Sequence, residues 1–126
     1  MRYDPDRPLE PSEWLDLDEG ERLLMIESYH KKARVRLPSR RMHAIIHSAI
    51  ETQLAEGFAP ATRTVERLMT EGLDRHDAIH ALGSIMAQHL FDTVKGHSSF
   101  NRNRYSQDLD HLTAEGWRHS QDDDEE

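Results

Sequence analysis

Breakers at Leu37-Pro38-Ser39, at Gly57 with Pro60, and at Gly72 cut this chain into segments in which apolar residues return every three or four positions. That spacing lines one face of a helix. No segment alternates with period two between turn residues, so the chain reads as all-α. A first helix is expected over about Glu19–Arg34, with Asp18 as N-cap and Glu21 as its capping-box partner. Leu23, Ile26, His30 and Ala33 share one of its faces. The residue before Pro38 is pushed away from helical angles, Ser39 can cap a second helix reaching Glu56, and Gly57 stops it. Pro60 suits the first turn of a third helix carrying Val65, Leu68 and Met69 and ending at Gly72. Asp74 caps a fourth, with Asp77 in its first turn, running through Ile79, Leu82, Met86 and Leu90 to Val94. A weaker pattern over Arg102–Leu112 offers Tyr105, Leu109 and Leu112, and Trp117 is expected to fold back. The expected architecture is a small bundle of four main helices plus a shorter C-terminal helix.

Composition sets the limits around that pattern. A chain of 126 residues is one domain on the usual length prior. Pro5, Pro8 and Pro11 make residues 1–15 an extended arm, anchored by Trp14 and Leu15. The bundle is expected over residues 16–118, followed by a disordered acidic tail over 119–126 that ends in Asp122, Asp123, Asp124, Glu125 and Glu126. There are no cysteines, which excludes disulfides, thiolate metal sites and cysteine nucleophiles. No stretch approaches the roughly 20 apolar residues of a membrane span, and the start has no apolar leader core. The expectation is a soluble cytoplasmic protein without a membrane partner.

The net charge of −8 argues against nucleic acid as a partner. Lys31, Lys32, Arg34, Arg36, Arg40 and Arg41 nevertheless cluster around the first break. They read either as a solvated helix end, where cations complement the dipole, plus an exposed turn, or as a surface for an anionic partner, an unidentified protein among the possibilities.

The informative feature is a repeated pair. His43 and His47 are four apart on the second expected helix, and His76 and His80 are four apart on the fourth. Residues at i and i+4 stand one above the other, so each pair can aim two imidazoles at one point. Two such helices side by side can bring four imidazoles together, a common way of building a metal site inside a bundle. Random placement of nine histidines gives about 0.6 such pairs, so two are unusual without being rare.

A wheel centred on Ile46, with Met42, Ala49, Ile50 and Gln53 on the apolar face, puts His43, His47 and Glu51 in one row at the border of the core. Gly83 stands beside His76 and His80 and opens space for close helix approach. His30, with Glu27 three positions before it, is a further candidate ligand. His89 falls on the face opposite His80, and His97, His111 and His119 lie in surface segments.

The candidate ligand set is therefore His43, His47, His76 and His80, with Glu51 or His30 as a fifth. Imidazoles with a carboxylate suit a divalent ion, zinc or non-haem iron. Four histidines alone would close a structural zinc site, whereas three with a carboxylate leave room for water. Two blander readings stand beside this one. The histidines can form a structural polar network with Glu51 and Gln53 inside a non-catalytic interaction module, or they can be unrelated surface positions. No phosphate-cradling glycine loop, serine elbow or His-Glu-x-x-His sequence is present. A metal-dependent enzyme would have only Glu51 or Glu27 as a general base.

The run His43–Gln53, then Pro60, then His76–His80, with Tyr29-His30 before them, resembles an uncharacterised bacterial family, domain of unknown function 1841. The similarity spans roughly residues 23–112. It implies a small helical bundle in which His30, His43, His47, Glu51, Gln53, His76 and His80 belong to one pattern, and it implies no activity.

Overall fold

A computed structural model describes the backbone of residues 3–7, 9–32, 40–96 and 99–124, and their side chains except at 30–32, 40 and 121–124. Among the described residues there is no strand, and there are seven helices: α1 Pro11–Asp16, α2 Glu19–Lys32, α3 Arg40–Ala55, α4 Ala59–Thr70, α5 Arg75–Gly96, α6 Arg102–His111 and α7 Ala114–Asp124. The all-α reading holds, while four helices plus one undercounts the elements. Of the two that periodicity missed, α1 is too short to build an apolar stripe, and α7 carries only Ala114 and Trp117 as apolar residues. None of the described helices is long and apolar enough to cross a membrane.

Local chemistry sets the boundaries. The Glu21 amide donates to Asp18 Oδ1 at 2.8 Å and the Asp18 amide donates to Glu21 Oε1 at 3.1 Å, which is the expected capping box at the start of α2. The Asp77 amide donates to Asp74 Oδ1 at 2.7 Å and so caps α5. Helix α3 ends on Gly57 at φ +74°, with Phe58 N–H bonded to Gln53 O at 2.9 Å and Gly57 N–H to Leu54 O at 3.1 Å. Gly72, at φ +111°, ends α4 in the same way. Both are left-handed caps that favour glycine.

Two apolar clusters flank α3. One gathers Ile50 with Val65 and Leu68 of α4, Ile79, Leu82 and Met86 of α5, and Tyr105 and Leu109 of α6. The other gathers Ala44 with Leu23 and Ile26 of α2, Trp14 of α1, and Tyr3. The described residues of the segment expected to be an extended arm, Tyr3 and Trp14 among them, are thus part of the fold. Trp14 is buried, its indole N–H donates to Thr52 Oγ1 at 3.1 Å, and the Arg22 guanidinium lies over its ring at 5.7 Å. Leu15, the other expected anchor, is exposed. At the opposite end α7 runs to Asp124, through most of the segment expected to be disordered.

Packing α1 and α2 against α3 changes which of its faces is inside. The buried residues are Ala44, His47, Ser48, Ile50 and Glu51, a stripe centred near His47. Met42, placed on the expected apolar face, is exposed. The stripe is rotated about 100° from the wheel centred on Ile46, from the ideal helical repeat. Hydrophobic periodicity cannot report this, because three of the five buried side chains are polar.

Candidate metal centre

Helices α3 and α5 pack against each other with residues 43, 47 and 51 facing 80, 76 and 75 in antiparallel order. Their approach is close at Gly83, where an added Cβ would stand 3.1 Å from Ile46 Cγ2. This is the space expected from the glycine beside the second histidine pair. It brings the imidazoles together: ring centroids are 4.7 Å apart for His43 and His80, 5.8 Å for His43 and His47, and 5.6 Å for His47 and His80. One donor atom from each of these three residues lies within 4.8 Å of the other two.

Four-coordinate zinc with bonds of about 2.0 Å places its donors about 3.3 Å apart. Small side-chain torsions would therefore close the set. His47 is buried and His43 and His80 are half-buried, so a ligand bound here is held by protein on one side and reachable on the other.

His76 is next to this group. Its ring centroid is 4.2 Å from that of His80 and 5.5 Å from that of His47, and its Nδ1 lies 3.5 Å from the Tyr29 hydroxyl. Glu51 stands behind His47. Arg75 grips it bidentately, Nη2 donating to Oε1 at 2.6 Å and Nη1 to Oε2 at 2.9 Å, and Oε2 also accepts from the Tyr3 hydroxyl at 2.5 Å. Both carboxylate oxygens thus accept from protein donors, and Glu51 is not among the three residues whose donor atoms converge. The side chain of His30 lies outside the described residues, as do His97 and the side chains of Lys31, Lys32 and Arg40; Arg34 and Arg36 lie there entirely. Arg41 is exposed and pairs with Glu27 at 3.2 Å.

The remaining histidines are elsewhere. His89 bonds Asp108 at 2.6 Å and packs against Phe100 and Tyr105, tying α5 to α6. His111 and His119 are exposed.

Sequence reasoning missed two members of the site, Tyr3 and Arg75. The Tyr3 ring lies edge-on to His47 at 5.3 Å and to Tyr29 at 6.1 Å, and its oxygen is 2.5 Å from His47 Nε2. Burial, and then the neighbouring Glu51 charge, push the Tyr3 phenol far above its ordinary range, so it stays protonated. Burial opposes the Arg75 charge, but its bonds to Glu51 outweigh that and raise it. Burial, and then Asp4, Asp6 and Asp74, push the Tyr29 phenol up. No local pattern marks Tyr3; for Arg75 the available signal is a cation next to His76, able to neutralise Glu51.

The chain matches no family model, no curated protein and no solved structure.

Proposed function

We propose that His43, His47 and His80 hold one divalent transition-metal ion, zinc or non-haem iron in kind, in a helical metal-binding domain. The observation that carries this reading is the convergence of three imidazole donors from two separate helices within 4.8 Å. Imidazole is a good ligand for these ions at neutral pH. Three protein ligands leave a coordination position for water or a small ligand, and His76 stands beside it. The Tyr3–Glu51–Arg75 layer behind His47 supports the reading, since metal-bound imidazoles are held from behind by hydrogen-bonded groups.

Calorimetric titration of the untagged protein with zinc tests it. The expected result is one site per chain, abolished by His47→Ala or His80→Ala and weakened less by His76→Gln. Heats of dilution alone for wild type that is folded by circular dichroism would sink the proposal.

The second reading is a non-catalytic interaction module whose histidines form a structural network. What favours it is that Tyr3 and Tyr29 already bond His47 and His76. It predicts that the histidine variants lose stability to the same extent with and without zinc.

A further inference from the structure

Two short contacts meet at one phenol oxygen, and they constrain where its proton sits. Tyr3 Oη lies 2.5 Å from Glu51 Oε2 and 2.5 Å from His47 Nε2. A hydroxyl has one proton to give. Glu51, gripped on both oxygens by a guanidinium that is always charged, is a carboxylate and can only accept. The Tyr3 proton therefore goes to Glu51. Were it directed at His47, two oxygen lone pairs would face each other across the Tyr3–Glu51 contact. The Tyr3 oxygen is then the acceptor in its other contact, and His47 Nε2 must carry a hydrogen. Neutral imidazole has one N–H, so its lone pair is on Nδ1, a buried atom.

Tyr3 cannot swing away easily. The Arg75 guanidinium also donates to Pro5 O at 2.7 Å, and the His76 amide donates to Asp6 Oδ1 at 3.1 Å. The N-terminal segment is thus strapped across the site by the same helix that supplies His80. The Tyr3 ring also packs against buried Trp14 at 5.8 Å.

From this geometry we infer that Tyr3 is a positioning residue of the metal centre: it holds His47 as the Nε2–H tautomer, so that His47 presents Nδ1 to the ion. The inference rests on the metal-binding reading and deepens it. His47 would then bind through Nδ1, with its Nε2–H anchored to Tyr3 and, through Tyr3, to the Glu51–Arg75 pair. The Tyr3 oxygen would then link the two groups, donating its proton to Glu51, which Arg75 also holds, and accepting from His47 Nε2–H.

The test is long-range 1H–15N correlation of the imidazoles in metal-free wild type and Tyr3→Phe, joined to zinc titration of both. Wild-type His47 should show the Nε2–H pattern. Tyr3→Phe keeps the ring and removes the acceptor; it should lose that tautomer preference and bind zinc about 10- to 100-fold more weakly, as loss of an outer partner does. A simple packing role for Tyr3 would not move the tautomer. An Nδ1–H tautomer in the wild type overturns the inference without any variant having to fold. Zinc binding that is equally tight in Tyr3→Phe, by a wild type that does bind, overturns it while leaving the metal reading intact. No zinc binding by the wild type overturns both.

Discussion

At the scale of single residues, the site is organised by the Glu51–Arg75 pair, with side chains only 5% and 13% exposed. Removing one partner of such a pair leaves the other charge buried without its counter-charge, which typically costs 3–5 kcal/mol, whereas removing both can be nearly neutral. Glu51→Ala should therefore destabilise the protein by about 3–5 kcal/mol, and adding Arg75→Met should recover a large part of that loss. Urea unfolding of the two single variants and the double variant checks this; additive losses would contradict it. The histidine pairs were legible because i,i+4 spacing is a local signal. Tyr3 was not, because its hydrogen-bond partners His47 and Glu51 lie more than forty positions away and nothing in its own neighbourhood repeats. The role of Glu51 was only half legible: its place in the histidine row follows from helical spacing, but its commitment to Arg75 depends on how α3 and α5 pack.

At the scale of helices, two contacts decide how the elements sit. Gly83 lets α5 approach Ile46 of α3, with 3.1 Å left for an added Cβ. Gly83→Val should cost about 1–3 kcal/mol by overpacking and weaken zinc binding as the pairs part. Ile46→Ala should rescue part of both effects, as thermal melts and zinc titration of the double variant would show.

Helix α7 is tied down by Glu71, whose Oε1 accepts from the Ala114 amide at 2.9 Å and whose Oε2 accepts from Arg67 at 2.9 Å. The Ala114 amide first, and Arg67 next, hold the Glu71 carboxyl below its usual 4.5. A lowered folded value means that the stability it supplies is present above the unfolded value and fades as pH falls through the folded one. The gap in stability between wild type and Glu71→Ala should thus be constant near neutrality and close as the pH falls below about 4.5, which urea unfolding across that range measures. Helix boundaries in this protein were mostly readable, since Asp18, Asp74, Gly57 and Gly72 act through their own neighbours. The inward face of α3 was not. Its rotation toward His47, Ser48 and Glu51 is imposed by α1, α2 and the N-terminal segment, and polar residues give no hydrophobic signal of being inside.

At the scale of the whole molecule, the histidines join two helices that also carry the two apolar clusters. Ile50 of α3 belongs to one cluster and Ala44 to the other, while Tyr3 and Tyr29 bring the second cluster against His47 and His76. An ion shared by α3 and α5 would therefore stabilise the fold as a unit. At free zinc 100-fold above Kd the gain is about 2.7 kcal/mol, worth roughly 10 °C in Tm for a domain of this size. The increase should vanish in His80→Ala.

Metal content tests most directly whether His43, His47 and His80 form a metal site. Untagged protein is loaded with zinc, freed of unbound ion by desalting, and analysed for metal per chain beside His47→Ala and His80→Ala. Close to one zinc per wild-type chain is expected, and almost none in either variant. Wild type that is folded and holds no more zinc than the variants would contradict it.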